Sequence, residues 1–579
     1  MRKKARQAVF IIAAVGLWGR IPASEARTES FPKTSAAPLS REYLRYVETI
    51  RTGRWGGADG ILPQNGAPSP VDIGSLQGLF LQPSTPPPAS YDLRKLFKMT
   101  PVKDQWPLTG TTVFAALASL ESFLRPEETW IFSESHLDRS GAGRGYLEAH
   151  VAAMARWADP VAEDEAPWMA APPPTEPSPV KHVQNVYFIP PRADPLDNGL
   201  IKQAVMEHGA VYAEMFFPTS AYHPTTSAFY NPDLPENPQA VAIAGWDDDF
   251  DRTKFNRLPP GSGAFLCKNS RGSTWGELGY FYVSYYDAFF ARRHLNAVFT
   301  AEPAAGLTVN YQHDPNGCTA RLGFDDETAW FANIFAASGP DPLRAVAFHA
   351  YVPGAVYEIL IYLDPPPDLP RGGTLAARTT GTLAAPGYRT VLLPEAVPLA
   401  LNRRFSVVVK LRTPGDIFPI PLEHPLPEVP GIFSAKSGES FISPDGSAWR
   451  DLVAHESPAY ALSNVCLKAF AGYPPIFPPL NLRGDRLVNN FAFFKEYVDR
   501  LLWLPNPKNN DPANPVAGYR VYRKKIGEDI ADFQFLVSTG AQNLVAYSRG
   551  LKRDDVHAYR VAAVLADGRE GDFAEIRVH

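Results

Sequence analysis

Cysteine is scarce in this chain: Cys267, Cys318 and Cys466 are the three in 579 residues, and none precedes residue 267. So few, so widely spaced, exclude a disulfide framework for a protein of this size. None has a neighbour at metal-ligand spacing. Cys267 in Ala264-Phe265-Leu266-Cys267-Lys268 and Cys466 in Val465-Cys466-Leu467 read as small buried hydrophobes. Cys318 and Cys466 can bridge only if the fold brings them together. An excess of either charge is missing too: Lys+Arg 56 against Asp+Glu 61 gives a net charge of −5, too small and of the wrong sign for a phosphate-binding surface. Nucleic acid is therefore excluded as a general partner. Beyond the N-terminus no run of about 18 uninterrupted apolar residues occurs, so no transmembrane span is expected in the mature chain.

What is present fits a globular, exported protein. Apolar residues are 45% and charged residues 20%, which rules out wholesale disorder. The 58 prolines are about 10% of the chain, roughly twice the usual share, and point to turns, linkers and strand edges. The length suits about three or four domains. Met1-Arg2-Lys3-Lys4-Ala5-Arg6 is basic, Ala8 to Trp18 is apolar, and small residues follow at Ala23, Ser24 and Ala26. This pattern predicts a Sec-type signal peptide over 1–26 and a secreted, periplasmic or cell-envelope location.

Residues 27–89 hold a helical stretch from Arg41 to Ile50 and then a Gly/Pro-rich passage ending at Pro86-Pro87-Pro88, which reads as a propeptide-like leader. Over 90–299 the pattern is mixed. Helices are expected at Thr112–Phe123, Tyr146–Trp157 and Leu200–His208, and strands at Ala210–Phe217, Ala240–Gly245, Gly263–Lys268 and Gly279–Val283. Helices first and strands later predict an α+β domain. Over 300–472 helical periodicity gives way to short alternating runs such as Val356 to Tyr362 and Arg404 to Lys410, the mark of a β-sandwich. Residues 473–579 give a second β pattern with an early Trp503 and a late Tyr559, suited to an immunoglobulin-like sandwich of fibronectin type III kind. The expected architecture is an α+β domain followed by two all-β sandwiches.

Ser90-Tyr91-Asp92-Leu93-Arg94, Pro101-Val102-Lys103-Asp104-Gln105, Phe114-Ala115-Ala116-Leu117, Trp246-Asp247-Asp248, Lys268-Asn269-Ser270-Arg271-Gly272-Ser273-Thr274-Trp275-Gly276-Glu277 and Tyr280-Phe281-Tyr282-Val283 occur in order. Together they resemble a papain-family cysteine peptidase domain. Ala329-Trp330-Phe331-Ala332-Asn333 and Asn464-Val465-Cys466-Leu467-Lys468 resemble the lectin-like module that follows such domains in bacterial members. The resemblance implies four site positions. A Cys opens a helix whose N-terminus, with a nearby His, keeps it as thiolate. The His acts as base and acid, an Asn orients it, and a Gln donates to the oxyanion. Gln105 matches the oxyanion Gln and Asn269 the orienting Asn.

The other two positions depart. Aligning Gln105 and Phe114 with the family motif Q-G-x-C-G-S-C-W-A-F puts Thr111 at the nucleophilic Cys, and Gln239 stands where the His precedes Ala240 to Trp246. Trp106 replaces the Gly after the oxyanion Gln, Arg271 replaces the Trp after Asn-Ser, and Trp275 completes the expected cleft lining. A threonine hydroxyl is far less acidic than a thiol of pKa about 8.5 and needs an adjacent base, which a Gln amide cannot be. Losing nucleophile or base alone costs about a million-fold in kcat in a serine peptidase. A bulky indole at 106 narrows or blocks the groove, although Trp and Arg together are also frequent at binding hot spots. The sequence thus predicts an exported pseudopeptidase that binds peptide, protein or glycan, needing no cofactor and no metal. The alternative is a hydrolase with a rearranged site, using Thr111 and a recruited His such as His223. The acidic turn Asp247-Asp248-Asp249-Phe250-Asp251 lacks the Gly and distal Glu of an EF-hand and reads as a solvated turn.

Overall fold

The computed structural model describes residues 31–52, 69–72, 79, 85–107, 110–141, 146–233, 238–304, 306–427, 429, 431–454, 458–473, 476–510, 514–526 and 533–578. The expected signal segment lies outside them. The α-helices are α1 (Arg41–Thr52), α2 (Thr111–Leu124), α3 (Glu134–Ser140), α4 (Leu147–Ala155) and α5 (Gly199–His208). α2 reads Thr-Thr-Val-Phe-Ala-Ala-Leu-Ala-Ser-Leu-Glu-Ser-Phe-Leu and is buried at nearly every position, so it forms the centre of its domain rather than a surface face. Arg125, held extended before Pro126, ends it.

The strands form a sheet of thirteen that crosses the expected domain junction. From one edge it runs Leu307–Tyr311, Leu467–Gly472, Leu343–Ala350, Gly387–Val397, Lys181–Ile189, Asn296–Pro303, Val211–Phe216, Pro238–Asp247, Ala264–Lys268, Tyr280–Ser284, Ala228–Phe229 and Tyr222–His223, with Ser90–Asp92 added against Pro238–Asp247. The first four strands belong to the expected lectin-like region and the rest to the α+β domain. The 299/300 boundary falls inside the strand Asn296–Pro303. The seam is the pairing Gly387↔Tyr187, Tyr388↔Val186 and Arg389↔Asn185. Gly387 is required there: at φ +143 a Cβ would meet the Val186 carbonyl oxygen at 1.8 Å. Asn185 Oδ1 accepts from the Thr390 N–H at 3.1 Å and from Arg389 Nε at 3.3 Å, and the Arg389 guanidinium lies 4.3 Å from the Tyr187 ring centre. Trp157 adds an aromatic joint, stacked on His182 at 3.8 Å and on Phe470 at 4.7 Å.

A six-stranded sheet, Thr374–Leu383, Ala355–Leu363, Arg404–Arg412, Thr328–Ala336, Ser440–Ser443 and Arg450–Asp451, supplies the other layer of the first sandwich. A smaller sheet contains Ser35–Ala36, Ala320–Gly323, Ile420–Glu423 and Asn464–Val465. The segment expected as a leader therefore contributes a strand to this sheet, with Ser35 opposite Gly323 and Ala36 opposite Leu322. It is anchored further by Tyr43, 1% exposed, whose hydroxyl donates to the Pro427 carbonyl. Ser40 caps α1 by accepting from the Tyr43 N–H at 3.1 Å and ties it to the Ser69 carbonyl at 2.6 Å.

The C-terminal segment is a sandwich of two antiparallel sheets. One has three strands, Leu480–Asn490, Lys495–Leu504 and Val545–Leu551; the other has four, Gln534–Gly540, Val516–Lys525, His557–Leu565 and Glu570–Val578. Trp503 meets Tyr519 edge-on in its core at 5.4 Å, and the Tyr559 hydroxyl donates to Asp499 at 2.7 Å. No helix among the described residues is long and apolar enough to cross a membrane.

Candidate active site of the α+β domain

Thr111 is the first residue of α2 and is 6% exposed. Its Oγ1 accepts a hydrogen bond from the Ala240 N–H at 2.9 Å. That bond fastens the start of α2 to the strand Pro238–Asp247 one residue beyond Gln239, so Thr111 and Gln239, 128 residues apart in number, meet at one place. Gln239 is paired with Met215 on the neighbouring strand. Ala242 faces Lys268 across the next pairing, so the strand ends carrying Gln239 and Asn269 run side by side.

Gln105 reaches the same spot by backbone pairing. Its N–H donates to the Ser270 carbonyl at 2.9 Å, Asp104 bridges Arg271, and the Gly272 N–H donates to the Lys103 carbonyl at 3.0 Å. Its side-chain carbonyl accepts from the Ser270 hydroxyl, and its backbone carbonyl from the Trp168 indole at 3.2 Å. Asn269 is 4% exposed, and its Oδ1 accepts from the Ser270 N–H at 2.8 Å. The Nδ2 of Asn269 and the Nε2 of Gln239 are buried with no hydrogen-bond partner among the described residues. Four of the expected site positions, Gln105, Thr111, Gln239 and Asn269, are thus gathered.

The flanking aromatics divide. Trp106 is 78% exposed, which leaves most of its indole facing solvent. Trp275 stacks on Tyr222 at 4.7 Å and meets Phe281 edge-on at 5.2 Å. The Arg271 guanidinium lies 5.0 Å from the Phe217 ring centre and 6.0 Å from that of Trp275. His223 sits on the last strand of the large sheet, with three strands between it and the one bearing Gln239. The acidic turn bonds internally and to its neighbours: Asp248 accepts from the Tyr285 hydroxyl at 2.6 Å and pairs with Lys202, while Asp251 accepts from the Thr253 N–H at 2.8 Å. Cys267 is fully buried, and burial pushes its thiol well above the ordinary range.

Beside the site lies a charged interior that the sequence did not single out. A cavity of about 10 Å³, room for about one water, is lined by residues including Lys103, Glu121, Glu134, Lys268, Asn269 and Ser270. Lys103 Nζ bonds Glu134 at 2.6 Å, Glu163 at 3.1 Å and the Phe132 carbonyl at 2.6 Å. Burial, against the opposing pull of Lys103, raises the Glu134 carboxyl to about 8. Burial lowers the Lys268 ammonium, which donates to Thr100 at 2.8 Å. The only hint available in the sequence was a lysine and a glutamate, Lys103 and Glu121, inside otherwise apolar or turn segments.

Residues 87–291 match the papain family of cysteine proteases, and residues 310–471 match the lectin like domain. The chain carries a papain-family domain followed by a lectin-like domain. The cysteine protease and lectin-like domains of Cwp84, a surface layer associated protein of Clostridium difficile, share this fold with a TM-score of 0.65 and 21% identity, over 77% of this chain and 99% of theirs. Clostridial cysteine protease Cwp84 after propeptide cleavage gives a TM-score of 0.57 at 22% identity, over 66% of this chain and 99% of that one. No curated protein matches the chain. Within the papain-like domain, the helix-opening position and the strand position before Ala240 hold Thr111 and Gln239.

Proposed function

We propose that this protein is an exported pseudopeptidase: a papain-like scaffold that has exchanged peptide hydrolysis for binding of a peptide, protein or glycan outside the cytoplasm. The observation that carries it is the Thr111 hydroxyl accepting from the Ala240 N–H beside Gln239. An oxygen held there has no imidazole next to it in sequence register, and a Gln amide takes up no proton at any useful pH. The exposed Trp106 supplies aromatic contact surface of the type frequent at binding hot spots. The lectin-like domain is consistent with ligand binding, and the three-plus-four strand division of residues 480–578 supports a fibronectin type III kind of accessory sandwich. The basic, apolar and small-residue succession at the N-terminus supports export. The test is a fluorogenic peptide library and an epoxide-type cysteine-peptidase probe applied to the purified full chain, beside peptide and glycan arrays. No turnover, no labelling and a retained ligand are expected. Turnover abolished by Thr111→Ala would overturn the reading in favour of a working hydrolase.

A further inference from the structure

The hairpin joining Leu480–Asn490 to Lys495–Leu504 closes at the pair Asn490↔Lys495, and its four-residue tip is Phe491-Ala492-Phe493-Phe494. Three phenylalanines at one tip are 52%, 99% and 62% exposed. A lone exposed apolar residue is ordinary, but a contiguous aromatic cluster on a soluble domain marks a contact site. The tip is also ordered. The Phe491 N–H donates to the Phe494 carbonyl at 2.9 Å, and the Phe491 and Phe494 rings stack at 4.7 Å with Phe493 standing between them in sequence.

Among the described residues, the exposed charges around it are mostly basic. Lys495 at the base of the tip is exposed, as are Lys552 and Arg553 on the adjoining loop. That loop is held against the hairpin by Arg486, whose guanidinium donates to the Lys552 and Arg553 carbonyls at 3.3 and 3.2 Å. The nearby carboxylates are engaged: Glu496 by Arg549, Asp499 by Arg486 and Tyr559, and Asp555 by Lys525 and the Lys552 N–H. Among the described residues, Asp554 is the remaining exposed acid in this group. A convex aromatic tip with a cationic collar needs a partner that deforms around it and carries negative charge. A fluid bilayer with anionic headgroups meets both needs: rings enter the headgroup and acyl boundary while Lys and Arg stay at the phosphates.

We propose that the Phe491–Phe494 tip is a membrane-insertion loop that docks the C-terminal sandwich onto an anionic lipid surface. The test uses the full chain, in which Ala492→Cys is labelled with an environment-sensitive fluorophore; the three native cysteines are buried and stay unlabelled in the folded state. Vesicles of phosphatidylcholine containing phosphatidylglycerol should shift the emission to the blue, and brominated lipid should quench it. Pure phosphatidylcholine should give a several-fold weaker response, as should added salt. Adding Phe491→Ser, Phe493→Ser and Phe494→Ser should lower binding at least about tenfold, and Lys552→Gln with Arg553→Gln should reduce it several-fold. Circular dichroism melts check that the tip variants remain folded. Absence of a shift with anionic vesicles, or equal responses to neutral and anionic vesicles, overturns the proposal. A Phe-dependent dimer by sedimentation without lipid response does so as well, assigning the tip to a second copy.

Discussion

The Thr111 hydroxyl accepts from the Ala240 N–H at 2.9 Å, joining the head of α2 to the strand that carries Gln239. This makes Thr111 a structural residue whatever its chemistry. Thr111→Val keeps the shape but leaves a buried N–H without an acceptor, which costs about 1–3 kcal/mol. Urea unfolding of the papain-like domain should show a loss in that range; an unchanged midpoint would refute the role.

The scaffold can be asked to recover its chemistry. Thr111→Cys with Gln239→His places a thiol at the start of α2 and an imidazole on the adjoining strand. The double variant should become labelled by the epoxide-type probe, because the helix N-terminus and an imidazolium both favour thiolate. Thr111→Cys alone should label much more slowly. Equal labelling of the two would show that residue 239 does not address residue 111.

Glu148 on α4 is fully buried; Ser69 donates to its Oε1, and Oε2 has no partner among the described residues. Burial raises its pKa from 4.5 to about 7. The folded chain then holds this proton to higher pH than the unfolded chain. Its contribution to stability is present below pH 4.5 and is lost as pH rises through about 7, by on the order of 3 kcal/mol. Glu148→Gln removes that titration, so its stability relative to the parent should improve between pH 4.5 and 7.5. Parallel pH profiles for the two proteins would contradict it.

Cys318 and Cys466 are 1% exposed members of one core cluster, and the Cys318 thiol donates to the Ala320 carbonyl at 3.3 Å. Both should resist iodoacetamide until the chain is unfolded. All three thiols should be counted as free by a thiol-titrating reagent once the chain is unfolded. Alkylation of Cys318 or Cys466 in the folded protein would contradict this placement.

Elements with a strong local signal were legible in the sequence. α2 announces itself by an apolar run, and the sandwich strands by alternation. Others were not, α3 and the strand Lys181–Ile189 among them. α3 is only seven residues of mostly polar character. The strand Lys181–Ile189 carries polar residues in its middle because Asn185 is spent on Arg389 and Thr390 about 200 residues later. The site divides in the same manner. Positions 105, 111, 239 and 269 follow from ordered motifs. The capture of the Gln105 carbonyl by Ser270, and of the Thr111 hydroxyl by Ala240, depends on contacts between distant segments that no local pattern encodes.

The thirteen-stranded sheet carries a practical warning for anyone who would divide this chain at the usual domain border. Cutting after residue 299 would strip Gly387–Val397 from Lys181–Ile189 and leave a raw strand edge on each fragment. Exposed edges recruit other chains. The papain-like and lectin-like parts are therefore best expressed, engineered and inherited as a single piece, since either alone would present an adhesive flank to its own copies.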